Sequence, residues 1–234
     1  MKAMKPLHRL ISALRDLFFP PRCMGCDELL PPFQADTPVL CPLCRTAWES
    51  AVVEEAAMTD HHVYLTAYRS GQTDGVPERV IYHIKHKGDP RVFGFVAARI
   101  APRVLRISEG EPLLFTYPPR RRAATRRDGF DQAKKLSEAL AKACGGKSVS
   151  LLRRTLLSTD EQKTLDAAER QDSASTAYTL KSSAHKVVSG RTVVLCDDLC
   201  TTGATLISCA ELLYRAGARR VIFATVSRTA ERGT

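Results

Sequence analysis

Apolar positions along this chain change period repeatedly, so helices and strands are expected to alternate. Leu7, Leu10, Ile11, Leu14, Leu17 and Phe18 share one face of a 3.6-residue period while Lys5, Arg9 and Arg15 lie off it, which predicts an amphipathic helix within residues 1–19. Docking on the rest of the protein is the plainer reading of that face; a membrane-surface or partner helix is the other. Residues 63–69 read as a strand, followed by a loop from Gly71 to Gly75. Pro77 suits the first turn of a helix that carries Val80, Ile81 and Ile84 inward and ends near Gly88. From Asp89-Pro90 a second helix sets Phe93, Val96, Ala97, Ile100, Ala101 and Val104 on one face. The short apolar run 113–117, stopped by Pro118-Pro119, predicts a buried strand. A further helix is expected from Asp128 to Cys144, with Phe130, Ala133, Leu136, Leu140 and Ala143 turned inward. Residues 158–185 are polar and read as irregular; no internal repeat is visible.

The sharpest pattern begins at Thr192. Val193 to Cys196 is a continuous apolar run that Asp197-Asp198 ends, and Thr201-Thr202-Gly203-Ala204-Thr205 follows. Leu206, Ile207, Ala210, Leu213 and Tyr214 then form a helical stripe closing at Gly217, and residues 220–226 make another buried strand. In such a βαβ unit, ligands sit beyond the carboxyl ends of the strands, where the acids and the Thr/Gly turn fall. A turn feeding a helix N-terminus offers backbone N–H groups and a favourable dipole to a phosphate, and Gly203 permits close approach. Two carboxylates beside a phosphate suit a ligand that also carries hydroxyls, and they attract Mg²⁺.

Composition narrows the class. The 234 residues include 35 Lys+Arg against 25 Asp+Glu, a formal charge of +10, with 44% hydrophobic residues. That is ordinary globular composition at a length of one domain plus a small appendage. No apolar stretch reaches the ~18 residues a spanning helix needs, so no membrane span is expected. With Ser12, Arg15 and Asp16 breaking the early apolar stretch, no secretion signal is read, and a cytoplasmic location is expected.

Four of the eight cysteines form two C-x-x-C pairs, Cys23/Cys26 and Cys41/Cys44. Two such turns complete a tetrahedral thiolate shell for Zn²⁺. Two disulfides are the alternative, disfavoured in a reducing cytosol. Residues 20–50 hold little apolar material, so a metal would supply most of their folding free energy. Cys144, Cys196 and Cys209 read as small buried hydrophobes; Cys200 is less easily assigned. Arg120, Arg121, Arg122, Arg126 and Arg127 put five guanidinium groups within eight residues, either a solvated loop or an anion site. A basic groove also suits single-stranded nucleic acid, although aromatics are only 6% and do not interleave with the basic run.

Val193 to Thr205 resembles the phosphoribosyl-pyrophosphate (PRPP) loop of type I phosphoribosyltransferases. The paired cysteines, the stretch Ile84-Lys85-His86-Lys87-Gly88, and Gly129-Phe130 with Gln132-Ala133 further resemble the ComF/GntX branch, competence-type proteins with an N-terminal double zinc ribbon. The similarity runs over most of residues 20–228. It implies an α/β fold, a phosphoribosyltransferase-like (Rossmann-like) parallel sheet flanked by helices over 60–234, after a zinc ribbon over 20–50. It also implies that Asp197 and Asp198 bind the ribose hydroxyls and that Thr201, Thr202, Gly203, Ala204 and Thr205 hold the 5′-phosphate. Pro118-Pro119-Arg120 falls at the family's pyrophosphate loop, where relatives often carry a cis peptide; Arg120, Arg121, Arg122 and Lys85 are the candidates for pyrophosphate contacts. The chain departs from the branch at Asp128 and Asp131, where relatives show Arg and Asn. Gln162 and Arg170 keep the expected spacing, whereas the Asn usual after that Arg is missing near Asp172-Ser173.

Three functions follow as expectations: Mg²⁺-dependent transfer of phosphoribose from PRPP to an acceptor, non-catalytic PRPP or nucleotide sensing, or single-stranded DNA handling with DNA-uptake proteins. A second copy of the chain is a further candidate partner. His83 and His86 read as structural or solvated, so no general base stands out.

Overall fold

The computed structural model describes residues 18–31, 38–51, 61–68, 75–155 and 177–229. The expected N-terminal helix falls outside the described residues up to Leu17, as do Gly71, Gln162, Arg170 and most of the polar stretch after residue 158.

Along the described chain run α1 (Pro42–Ala51), β1 (His62–Val63), β2 (Thr66–Tyr68), α2 (Val76–His86), α3 (Pro90–Ser108), β3 (Leu113–Thr116), α4 (Arg122–Asp128) and α5 (Gln132–Ala143). They continue as β4 (Lys147–Ser148), β5 (Leu152–Arg154), β6 (Tyr178–Leu180), α6 (Ala184–Val188), β7 (Thr192–Cys200), α7 (Ala204–Arg215) and β8 (Arg220–Thr229). The main sheet has the order β1-β8-β7-β3-β4, with β2 also on β8, and all its pairs are parallel. β5 and β6 form a separate antiparallel pair.

Period-two alternation divides the core between the two faces of this sheet. Val194, Cys196, Phe115, Ile222 and Ala224 pack toward α2, α3 and α5. Val193, Leu195, Leu114, Val221 and Phe223 pack with α6, α7 and the β5–β6 pair. Burial on both faces explains why β7 and β8 read as continuous apolar runs.

Several expected boundaries move. The helix expected from Asp128 starts at Gln132: Gly129 takes φ 78° and ends α4, and Asp131 caps α5 by accepting from Lys134 N at 3.1 Å. Phe130 therefore lies between two helices, and Ala143 is exposed. Of the arginine run, for which a solvated loop is one reading, Arg122, Arg126 and Arg127 lie in α4, while Arg120 and Arg121 precede it. The strand expected over 63–69 is two short segments, β1 and β2, on the edge of β8. Asp197-Asp198 does not end β7, which continues to Cys200 with Asp197 opposite Thr225 and Cys200 opposite Arg228. Residues 178–180, expected to be irregular, form β6 against β5. Leu206, Ala210 and Leu213 of α7 are buried as expected, whereas Ile207 and Tyr214 are exposed.

Residues 20–31 and 38–51 surround the paired cysteines. The first pair lies in a turn closed by an Arg22–Leu29 antiparallel bridge, and the second opens α1. Cys23, Met24, Leu40, Cys44 and Trp48 share one continuous core with Val80, Ile84 and Phe93 of α2 and α3. Trp48 tilts against Phe95 at 5.5 Å, and Arg79 Nη1 donates to the Gly25 carbonyl at 2.7 Å.

Candidate functional site

Strand order locates a crevice before any ligand is considered. From β3 the chain passes through α5 outward to β4, and from β7 through α7 the opposite way to β8. The connections therefore diverge between β3 and β7, the switch point where open α/β sheets leave a cleft at their carboxyl edge. Two loops meet there. One is Tyr117-Pro118-Pro119-Arg120 after β3; the other carries Asp197 and Asp198 at the end of β7 and runs through Thr201 to Gly203 into α7, with Thr116 and Leu195 in register below.

In the second loop, Asp198 N donates to Asp197 Oδ1 at 2.9 Å and Leu199 N to Asp198 Oδ1 at 3.0 Å. Asp197 is half-buried. Its burial, and next the charge of Asp198, hold its carboxyl well above the usual range, and Asp131 adds to the effect. Gly203 sits in the left-handed region at φ 77° immediately before α7. Thr201 and Thr202 are exposed, Gly203 is buried, and Ala204 and Thr205 are half-buried. Thr202 Oγ1 accepts from Ala204 N at 3.3 Å.

In the first loop, Arg120 is held twice: its N–H donates to Asp131 Oδ2 at 3.1 Å and its Nη1 to Asp128 Oδ2 at 2.9 Å. Arg127 also pairs with Asp128 at 2.8 Å. Arg127 foremost, then Arg120, bring the Asp128 carboxyl down to about 2. Asp128 and Asp131 are thus the groups that fix Arg120. Arg121 and Arg122 are exposed at the start of α4. Among the described residues no peptide bond is cis, so the Pro118-Pro119 turn is trans.

Two distant motifs interlock behind this loop. Gln132 Nε2 donates to the Lys85 carbonyl at 2.6 Å, and Gly88, at φ 62°, lies so close to Phe130 that a Cβ there would come within 2.7 Å of the ring. Lys85 is half-buried near the end of α2. His83 is half-buried, with burial lowering its pKa, and His86 tilts against Tyr82 with ring centroids 4.7 Å apart. Sequence reading missed the tethering role of Asp131; its signal was an acidic residue directly before a helical stripe, the mark of an N-cap.

The four paired cysteines converge, their Sγ atoms all within 4.8 Å of one another. Ligands about 2.3 Å from a tetrahedral centre stand about 3.8 Å apart, and Cys26 and Cys41 are 3.7 Å apart. Cys41 N and Gly25 N donate to Cys23 Sγ at 3.2 and 3.3 Å. Burial raises the Cys23 thiol, yet these N–H groups bring it down to about 7. The donor set fits Zn²⁺. Of the other cysteines, Cys196, Cys200 and Cys209 are buried and Cys144 is half-buried; burial raises each thiol, Cys144 to about 11.

Residues 127–233 match the family model of the phosphoribosyl transferase domain. The fold is phosphoribosyltransferase-like. Similar solved structures include the phosphoribosylpyrophosphate synthetase of Mycobacterium smegmatis, 17% identical, with a TM-score of 0.38 over 57% of this chain and 33% of that one. Another is the glutamine PRPP amidotransferase of B. subtilis, 16% identical, with a TM-score of 0.39 over 65% and 27%. A hypoxanthine phosphoribosyltransferase of Staphylococcus aureus is 15% identical, with a TM-score of 0.36 over 61% and 69%. The aligned part spans about a third of the synthetase and less of the amidotransferase. No curated protein sequence matches this chain.

Proposed function

We propose that the chain binds PRPP with Mg²⁺ and transfers its phosphoribosyl group to an acceptor, releasing pyrophosphate. The observation that carries this reading is the pairing of Asp197 and Asp198 with the Gly203 turn, at the carboxyl edge of β7 and facing the Arg120 loop across the switch point. In this reading Asp197 and Asp198 accept the ribose hydroxyls. Thr201, Thr202, Gly203, Ala204 and Thr205 take the 5′-phosphate through backbone N–H groups and hydroxyls. Pro118, Pro119 and Arg120, with Arg121, Arg122 and Lys85, face the diphosphate. The C1–O bond to diphosphate breaks with its electron pair leaving on oxygen while the acceptor's lone pair bonds C1, and fixed cations stabilise the departing charge. Mg²⁺ bound to the diphosphate supplies further charge neutralisation.

We further read residues 1–19 as an N-terminal helix, 20–50 as a zinc unit held by Cys23, Cys26, Cys41 and Cys44, and 60–234 as the transferase-like unit. Resemblance to the ComF/GntX branch supports a cytoplasmic role in DNA uptake. Calorimetric titration with PRPP and Mg²⁺ tests the reading. Micromolar binding is expected in the parent and none in the Asp197→Asn/Asp198→Asn variant; equal binding by both would remove the assignment of these carboxylates. Binding without pyrophosphate release, whatever acceptor is supplied, would turn the transferase into a sensor.

A further inference from the structure

Of the eight large apolar side chains that stand exposed among the described residues, four lie in the cysteine unit: Phe18, Phe19, Leu29 and Leu43. The others, Tyr82, Leu105, Ile207 and Tyr214, are spread over α2, α3 and α7, and single exposures of that kind are normal. The folding of the cysteine unit ties its four together. Leu29 stands opposite Arg22 in the antiparallel bridge, and Leu30 N donates to the Pro21 carbonyl at 2.8 Å, so Leu29 lies beside the segment that Phe18 and Phe19 lead into. Leu43, 82% exposed, stands between Cys41 and Cys44, whose Sγ atoms are within 4.8 Å of those of Cys23 and Cys26.

The chain itself carries a complement to this face. Leu7, Leu10, Ile11, Leu14, Leu17 and Phe18 follow a helical period, and Phe18, helical and 74% exposed, is where that stripe enters the described residues. Phe19 bends the chain and Pro20-Pro21 cannot continue a helix, so the stripe ends close to Leu29. A helix this short is marginal in water unless its apolar face is covered. Charge favours the same seat: Lys2, Lys5, Arg9 and Arg15 outnumber Asp16 in residues 1–17, while Asp27 and Glu28, both exposed, adjoin Leu29.

We propose that residues 1–17 dock back on the cysteine unit of the same chain, with Leu10, Ile11, Leu14 and Leu17 covering Phe19, Leu29 and Leu43 and the flanking Lys and Arg side chains facing Asp27 and Glu28. This inference rests on the reading of residues 1–19 as a helix and adds the surface that the helix covers.

Amide hydrogen exchange of the full chain at neutral pH tests it. Amides 8–17 should exchange at least about tenfold more slowly than in an unprotected chain, whatever the protein concentration. Leu29→Ser/Leu43→Ser alters only exposed side chains, so exchange in α1 should stay as in the parent while amides 8–17 lose their protection. Ile207→Ser, at an exposed position of α7, should change neither. Glu28→Lys should speed exchange at 8–17 about twofold or more in low salt and less in high salt, where charges are screened. Unprotected amides in the parent, or protection that survives Leu29→Ser/Leu43→Ser, overturn the proposal; in the second case a helix is present but lies elsewhere. Protection that survives Ser12→Pro, which breaks a helix without removing an apolar side chain, overturns the helix reading itself. Protection that grows with protein concentration gives the face to a second copy, and protection seen only with phosphatidylglycerol vesicles gives it to a membrane surface; either result also overturns the proposal.

Discussion

Half-buried Asp197 and buried His62, both on the α7 side of the sheet, make opposite demands on pH. Asp197 is held above the carboxylate range by burial and by Asp198, so its folded form favours the proton. Its contribution to stability is complete below the unfolded pKa of about 3.9 and is lost as pH rises through the raised folded value. Asp197→Asn should therefore melt higher than the parent at pH 7.5, with the gain shrinking toward pH 4; a lower melting temperature at neutral pH would contradict that sign. His62 is 4% exposed, its Nε2 lies 3.0 Å from Thr225 Oγ1, and burial followed by the charge of Arg228 brings its pKa down to about 4. Here stability is present above about pH 6.5 and is lost as pH falls toward 4, by on the order of 3 kcal/mol. His62→Gln should flatten the parent's acid-side slope in urea melts between pH 6.5 and 4. At this scale the sequence showed the acids, because they interrupt an apolar run, but not His62. Its burial depends on a short edge strand pairing with β8, more than 150 residues away.

Among the elements, the β7–α7–β8 unit was legible because its turn and both apolar runs are contiguous. The helix that follows the Arg120 loop was not. Phe130 continues the apolar spacing of α5, and that spacing concealed the break at Gly129, whose φ of 78° closes α4. Asp131 then serves α5 as its cap and Arg120 as its tether. Asp131→Ala should cost about 1 kcal/mol in denaturant melts and weaken PRPP binding as well. Asp131→Asn should keep the cap, since Asn caps as well as Asp, and ease the upward pressure on Asp197. Gly88 is the other silent joint: a side chain there meets both a positive φ and the Phe130 ring. Gly88→Ala should destabilise by about 2 kcal/mol; a neutral outcome in urea denaturation would mean that Phe130 moves aside freely.

In the whole molecule, the cysteine unit and the sheet share one core, and this relation could not be read from spacing alone. C-x-x-C pairs announce a thiolate cluster, whereas the packing of Trp48 on Phe95 and the bond from Arg79 to Gly25 are long-range. Loss of the proposed metal should therefore be felt in the sheet. Chelation, or Cys44→Ser, should lower the melting temperature by about 5–10 °C, the size expected for a few kcal/mol in a chain this long. An unchanged melt would mean that the cluster contributes nothing to the shared core. Amide hydrogen exchange with and without PRPP and Mg²⁺ reports residue by residue where the proposed sugar phosphate sits. Exchange should slow at Thr201 to Thr205 and after Asp197-Asp198. Binding that leaves those amides unchanged, with slowing confined to Arg120–Gly129, would contradict that placement.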